Sequence, residues 1–295
     1  MFVQLAREVR LIARLLNDYL RETDVNNPLS PAATEHAREA DFADARIADP
    51  VLHILVRAQH GLIAAADHML GLAACIEAED VVLALISLLR PIVTAAGTSY
   101  HLLAPDISLR ERLRRGWNIE LDSLREQLNS TDKQQLPQAY EHIALARDRY
   151  LAWGSAHGFE RQTRNERFGE KRYWLTDGKA TQPPPSDMKL AEAVLAAFGD
   201  GSMGRTVYRF TSSFIHTQAH AFTMFLPAGL QYDPQTPNAV SLGLAPQDLV
   251  TWLMVATMAV DTAAARCGRY FGWDLTLWIT TTRPILTRWS AELRG

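Results

Sequence analysis

Apolar residues recur at intervals of three and four along most of this chain, and that spacing is typical of helices with one buried face. The pattern predicts long helices over residues 1–20, 51–76, 79–104, 105–129, 137–157, 201–226 and 246–271, and a last helix after residue 272 that is broken around Pro284. No run alternates apolar and polar residues for long enough to predict a pair of strands. The sequence therefore predicts an all-α fold.

Helical periodicity is missing from two stretches, residues 159–187 and 227–246, which we expect to be long loops. The first interleaves basic and aromatic residues and ends near three consecutive prolines, so we expect it to be mobile or to face a ligand or partner rather than the core. We expect residues 1–49 to form an N-terminal helix and connector. Residues 50–295 are expected to form a single large bundle-like helical domain with these two long loops.

Composition narrows the function classes. A net charge of −3 and an isoelectric point near 6.3 argue against a surface that coats nucleic acid or anionic membrane as a whole, and nothing in the sequence indicates DNA binding. Arginines interrupt the apolar runs of the N-terminal helix, and the strongly apolar stretch from Leu249 to Val260 has about 12 residues, too few to cross a bilayer. Two cysteines, both in apolar helical runs, suit a reduced compartment. We expect a cytoplasmic protein without a membrane partner.

The C-terminal part of the chain is unusually rich in aromatic and apolar residues. Four tryptophans lie there, at Trp252, Trp273, Trp278 and Trp289. A single domain has difficulty burying so much apolar surface, and exposed apolar patches tend to mark interfaces. We therefore expect a homodimer.

The predicted helix over residues 201–226 concentrates the side chains that are most useful for chemistry. At about 100° per residue, six polar residues fall on one arc of this helix: Arg205, Arg209, Ser212, Ser213, His216 and His220. The opposite side carries Val207, Phe210, Phe214, Ala221 and Phe225. The arc has neither Lys nor Glu, which solvated helix faces usually contain. It is therefore either an unusual solvated face or a site for an anion, with Arg209 and His216 as candidate catalytic residues and the other four as candidate binding residues.

Other polar residues have a structural and a functional interpretation. Arg90 precedes Pro91 inside an apolar helical run, so it either donates to carbonyls freed by the proline or belongs to a polar site. Arg110, Arg112, Arg114 and Arg115 around Glu111 form either a solvated face or a patch that attracts RNA.

Metal chemistry has weak support. His216 and His220 have the i, i+4 spacing that can bind one metal ion, but no acidic third ligand is evident nearby. We predict no resident metal or cofactor.

The segments RPIVTAAGTSYHLLAPDISLRERLRRG and VYRFTSSFIHTQAHA resemble a family of actinobacterial all-helical proteins of unknown function, over about residues 52–267. In sequence style that family is similar to HEPN-type helical domains, whose ribonuclease members carry an Arg, four to six residues, and then a His on one helix. Here RFTSSFIH gives Arg209 and His216. The chain departs from the pattern at Phe210, where those nucleases tend to have a polar residue, and at Thr94, where the family often has Glu.

The resemblance implies a metal-independent endoribonuclease involved in defence or stress, with RNA as substrate and a dimer as the active form. A base would take the proton of the 2′-hydroxyl, and a cation would stabilise the charge that grows on the phosphate. Two alternatives stay open. One is a noncatalytic helical protein that binds a small anionic ligand or a protein partner, and the other is a metal-dependent bundle enzyme using His216 and His220.

Overall fold

The computed structural model describes residues 1–78, 82–167, 169–178, 183–199, 202–215 and 245–294, with backbone alone for residues 82, 83, 214 and 215. Within these ranges the chain forms ten α-helices, two single-turn 3-10 helices and one two-stranded sheet. The predicted all-α fold is confirmed. The chain divides into two compact units.

The first unit comprises residues 1–24, 59–101 and 186–295. Its helices are α1 (Phe2–Arg21), most of α3 (Pro50–Ala78), nearly all of α4 (Val82–Leu102), α7 (Asp187–Leu195), α8 (Ser202–Ile215), α9 (Pro246–Phe271) and α10 (Thr276–Glu292). Helix α1 illustrates why these segments fold: its residues at three- and four-residue spacing, from Leu5 through Val9, Ile12 and Leu16 to Leu20, are all buried.

The second unit comprises residues 25–58 and 102–185. It contains α2 (Pro31–His36), the start of α3, α5 (Leu109–Ser130), α6 (Pro137–Ala156) and the strands β1 (Glu160–Arg164) and β2 (Arg172–Thr176). Ser108 caps α5, because its side chain accepts a 3.2 Å hydrogen bond from the backbone N–H of Glu111. The Glu111 side chain bonds instead to Arg114 and Arg115.

The segment predicted as a loop over residues 159–187 contains an antiparallel hairpin, so the prediction of no strand pair was wrong there. Gln162 pairs with Trp174 and Arg161 with Leu175. Trp174, Leu175 and Thr176 are buried, and the buried side chain of Asn118 bonds both the N–H of Leu175, at 2.6 Å, and its carbonyl, at 3.0 Å. Strand β2 therefore belongs to the core of the second unit, and the expectation of a loop that avoids the core was wrong for it, whereas β1 is largely exposed.

The arginines of the basic run on α5 bond to partners within the second unit. Arg112 is 2% exposed and donates to both carboxylate oxygens of Glu35, at 2.8 and 3.2 Å, and to the carbonyls of Leu102 and Ala104. Arg110 donates to the backbone carbonyls of His157 and Gly158. These arginines bond to other parts of the second unit. The solvated face expected from the sequence was therefore wrong, above all for the buried Arg112.

The C-terminal tryptophans are used within the first unit. Trp278 and Trp289 are buried, Trp273 stacks on Tyr19 at 5.2 Å between ring centroids, and Trp252 stacks on Phe210 at 4.6 Å. The surplus of aromatic surface from which we predicted a homodimer is thus smaller than expected, and dimerisation stays a prediction.

Two helices of the described chain, α3 and α9, are long and apolar enough to cross a bilayer by length and composition. Their most apolar windows are 44% and 56% buried within the protein, respectively. Core helices of soluble proteins meet the same criteria, so this finding leaves the cytoplasmic location a prediction.

Candidate functional site

Helix α8 has the two faces that its sequence predicts, as far as the structure describes it. Gly204, Val207 and Thr211 are buried, whereas Arg205 and Arg209 on the other side are exposed. The buried side packs on α7, where a Cβ added to Gly204 would lie 2.4 Å from the carbonyl oxygen of Ala191. Only a glycine allows the two backbones to approach so closely.

Helix α7 also makes a close backbone contact with α4. A Cβ at Gly97 would lie 2.6 Å from the carbonyl oxygen of Leu190. On α4, Arg90 is seven residues before Gly97, which is two turns along the same face. On α8, Tyr208 and Ser212 are four and eight residues after Gly204, again on nearly the same side. The two glycine contacts therefore bring Arg90, Tyr208 and Ser212 to one place beside the start of α7.

Arg90 is the centre of this cluster. It donates to the hydroxyl of Tyr208 at 2.8 Å and, more weakly, to the hydroxyl of Ser212 at 3.5 Å, and its guanidinium carbon lies 4.5 Å from the centroid of the Tyr208 ring. Its Nη2 atom is 3.6 Å from the carboxylate of Asp187. The Arg90 side chain is 22% exposed, so it is held in place and still meets solvent. We call Arg90, Asp187, Tyr208 and Ser212 the Arg90 cluster.

Two members of the cluster were predicted from the sequence and two were missed. The structure brings together Arg90 and Ser212, which the sequence named as candidate binding residues on different helices. Tyr208 is one turn before Ser212, and that spacing is the signal that could have found it. Asp187 begins α7, and its sequence position gives no indication that it faces Arg90.

Burial raises the pKa of the Tyr208 phenol, and this is the largest effect. The positive charge of Arg90 lowers the pKa and the carboxylate of Asp187 raises it, so that the pKa of Tyr208 lies above its ordinary value. The phenol therefore keeps its proton at neutral pH. Its oxygen accepts from Arg90 while its own hydrogen remains available for donation. Arg90, Tyr208 and Ser212 can together present several hydrogen-bond donors to one oxyanion.

The two exposed arginines of α8 differ in their partners. Arg205 donates to Glu192 at 2.7 Å, and the same carboxylate receives Lys189 at 2.6 Å. The side-chain hydrogen bond from Lys189, followed by that from Arg205, lowers the pKa of Glu192. Arg209 makes no side-chain hydrogen bond or ion pair within the described part of the chain. Of the two arginines, Arg209 is thus the better placed to receive a ligand.

The remaining predicted residues divide between observed and undescribed positions. Ser213 is half-buried, and its hydroxyl donates to the carbonyl of Arg209 one turn earlier, at 3.0 Å. His216 and His220 lie outside the described residues, as does most of the second predicted loop. The Arg209–His216 pair and the His216–His220 metal pair therefore remain sequence predictions. Among the residues that are described, no three His, Cys, Asp or Glu side chains cluster as metal ligands would.

The surface formed by Arg90, α7 and the start of α8 carries a positive surplus. Four cationic side chains, Arg90, Lys189, Arg205 and Arg209, stand against the carboxylates of Asp187 and Glu192. The whole chain, by contrast, has a net charge of −3. A local surplus of this kind attracts anions to one place without making the protein a general polyanion binder.

Comparison of this chain with protein-family models, curated proteins and solved structures found no match.

Proposed function

We propose that the polar face of α8, together with Arg90, binds RNA phosphates, and that Arg209 and His216 cleave the RNA without a metal ion. One observation supports this most directly: Arg209 is exposed and unpaired among the described residues, one turn before Ser212, which Arg90 reaches from α4. Two guanidiniums thus border the same part of α8. Guanidiniums bind phosphate oxygens through paired hydrogen bonds.

The proposed chemistry needs few groups. His216 would take the proton of a 2′-hydroxyl, and the freed oxygen would attack the adjacent phosphorus. The new O2′–P bond forms as the P–O5′ bond breaks, and the 5′-oxygen takes a proton from water. Arg209 would stabilise the charge on the nonbridging oxygens, and the products would be a 2′,3′-cyclic phosphate and a 5′-hydroxyl. This activity is HEPN-like, and a role in defence or stress, a cytoplasmic location and a dimeric form belong to the same proposal.

The Arg90 cluster would anchor a neighbouring phosphate. Arg90 is fixed by the ring and hydroxyl of Tyr208, so little side-chain freedom is lost when it binds a ligand. Asp187 opposes this role because its carboxylate competes for the same guanidinium. The cluster therefore supports binding of moderate strength.

The test is a cleavage assay on unstructured and hairpin RNAs with purified protein. Arg209→Lys and His216→Ala should each remove most cleavage while circular dichroism and the melting temperature stay unchanged. Arg283→Lys, at an exposed arginine of α10, is the matched control and should leave cleavage intact. Chelator should have no effect, and His220→Ala should matter less than His216→Ala. If the protein cleaves none of the RNAs, the catalytic proposal is wrong.

A noncatalytic function, the binding of a small anionic ligand, is the second candidate. It is favoured by the Arg90 cluster itself, where two hydroxyl side chains, those of Tyr208 and Ser212, lie beside the half-buried guanidinium of Arg90. Titration with inorganic phosphate and with a mononucleotide distinguishes the two. Binding that is lost in Arg90→Gln, without cleavage of any RNA, would support the second candidate. Loss of cleavage in Arg209→Lys would support the first.

A further inference from the structure

A cavity lies in the first unit, between α1 and α3. It is a half-open cleft of about 620 Å³, which is within the size range of small-molecule sites. It is lined by Asn17, Leu20 and Arg21 of α1 and by His60, Ile63, Ala64 and Asp67 of α3. The four α3 residues follow the i, i+3, i+4, i+7 spacing of a single helical stripe.

The two helices run antiparallel past this cleft. Arg10 of α1 forms two hydrogen bonds with the carboxylate of Glu77 near the end of α3, at 2.6 and 2.7 Å. The cleft is lined by later residues of α1 and earlier residues of α3, as an antiparallel pair requires. The Arg10–Glu77 contact holds the pair together beyond the cleft.

Opposite charges face each other at the same level of the cleft. Arg21 is about 16 Å along α1 from Arg10, and Asp67 is about 15 Å along α3 from Glu77, at 1.5 Å per residue. Arg21 approaches Asp18 of its own helix, at 3.9 Å, and does not pair with Asp67. Asp67, His60 and Asn17 make no side-chain hydrogen bond or ion pair with any described residue. A cation and an anion thus stand on opposite walls with the cleft between them.

The cleft also offers an apolar surface. Ile63 is 43% exposed, and it lines the cleft together with Ala64 and the buried Leu20. A ligand that suits all of these groups has an anionic end for Arg21, an ammonium for Asp67 and an apolar body between them. A metal ion suits them poorly, because His60 and Asp67 are seven residues apart and have no third ligand in the cleft.

We propose that this cleft binds a small zwitterion with apolar side chains, of the size and chemistry of a hydrophobic dipeptide. Arg21 binds the carboxylate, Asp67 binds the ammonium, and Leu20, Ile63 and Ala64 contact the side chains. Asn17 and His60 are placed to bond the peptide amide. This site is separate in its residues from the Arg90 cluster and does not depend on the proposed ribonuclease activity.

The test is calorimetric titration of the full-length protein with leucyl-leucine, with its N-acetyl derivative and with its C-terminal amide. We expect leucyl-leucine to bind and each blocked form to bind about tenfold more weakly, because each loses one charge-assisted interaction. Asp67→Asn should abolish the preference for leucyl-leucine over its N-acetyl derivative and keep the preference over the C-terminal amide. Arg21→Gln should abolish the preference over the amide and keep the preference over the N-acetyl derivative. Both side chains are exposed, so neither change should affect folding.

Two further variants complete the design. Arg14→Gln removes an exposed arginine of α1 outside the cleft and should leave all three affinities unchanged, whereas Ala64→Trp should fill the cleft and abolish binding. The proposal is overturned if leucyl-leucine does not bind at millimolar concentration or if the three peptides bind equally. It is also overturned if Arg14→Gln weakens binding as much as Arg21→Gln does.

Discussion

Arg90 on α4 donates a 2.8 Å hydrogen bond to the hydroxyl of Tyr208 on α8, 118 positions later in the chain. Its guanidinium also lies over the Tyr208 ring, 4.5 Å from the centroid. Arg90, which precedes Pro91 within the continuous helix α4, is therefore part of a polar cluster. The contact between Arg90 and Tyr208 connects α4 to the face of α8 that carries the candidate site.

The phenol oxygen of Tyr208 should contribute to both stability and ligand binding. Tyr208→Phe removes the acceptor of Arg90 and keeps the ring beneath it. We expect the free energy of unfolding to fall by about 1 kcal/mol, since Arg90 remains partly solvated. Urea denaturation measures this change, and phosphate titration should show weaker binding.

Tyr100→Phe is the matched control. Arg266 lies over the Tyr100 ring at 3.2 Å but donates to the Tyr100 carbonyl, so the loss of that phenol oxygen leaves both contacts in place. Equal destabilisation by the two substitutions would contradict the role assigned to the Tyr208 hydroxyl.

The glycine contact between α7 and α8 should be intolerant of a side chain. Gly204→Ala would place its Cβ 2.4 Å from the backbone oxygen of Ala191, and backbone cannot move aside as a flexible side chain can. We expect a loss of about 2 kcal/mol. Gly71→Ala on α3 meets only a Leu88 methyl at 3.5 Å and should gain about 0.5 kcal/mol from helix propensity. Urea denaturation of the two variants should therefore give changes of opposite sign.

Local periodicity was sufficient to predict the long helices and the two faces of α8, because both depend on neighbours three and four residues apart. It missed the short helix α7, and the break predicted around Pro284 was wrong because α10 is continuous from Thr276 to Glu292. It could not predict that Arg90, Asp187 and Tyr208 meet, since that contact depends on how α7 packs against two other helices. Arg112 shows a signal that was overlooked. It shares the apolar stripe of Leu109, Leu113 and Trp117 at helical spacing, which indicates that it points inward.

The hairpin was missed for a different physical reason. Its strands have five residues each, and β2 is buried at three successive positions rather than at alternate ones. Strand detection by alternation fails on such a pattern. The hairpin is stabilised by tertiary contacts with α5, above all by Asn118, and these are not visible in its own sequence.

Asn118 should accordingly be essential for the hairpin. Asn118→Ala leaves the N–H and the carbonyl of Leu175 buried without this partner, and we expect a loss of about 3 kcal/mol. Limited proteolysis should also cut the connection between β1 and β2 faster. Asn129→Ala removes a single, exposed bond to the backbone of Glu170 and should cost less than about 1 kcal/mol. If both variants resist protease as the wild type does, Asn118 is not what holds the hairpin.

Glu111 should make part of the stability depend on pH. Burial raises the pKa of its carboxyl, but hydrogen bonds and charges from Arg114 and Arg115 outweigh this effect, and the folded-state pKa lies below the ordinary value. The stabilisation is therefore complete above the ordinary carboxyl pKa and is lost as pH falls through the folded-state value. Glu111→Gln should cost about 1 kcal/mol at pH 7, and this difference should shrink toward zero between about pH 5 and pH 2.

Urea denaturation across that range measures the Glu111 effect. Glu141→Gln, at an exposed position of α6, is the control and should show no comparable pH dependence. A Glu111→Gln deficit that stays constant down to pH 2 would mean that the charge of Glu111 is not responsible.

Asp187 should limit anion binding at the Arg90 cluster. Its carboxylate is 56% exposed and lies 3.6 Å from Nη2 of Arg90, so it competes with any anion for that guanidinium and repels it as well. Asp187→Asn keeps the size of the side chain and removes its charge. We expect phosphate and RNA to bind about two- to fivefold more tightly, a modest gain because exposed ion pairs are worth less than about 1 kcal/mol. The gain should diminish at high salt.

Asp18→Asn on α1 removes the same charge away from the cluster and should not change binding, so an equal gain in both variants would show only a general effect of net charge. Weaker binding in Asp187→Asn would mean that Asp187 orients Arg90 for the ligand and does not compete with it.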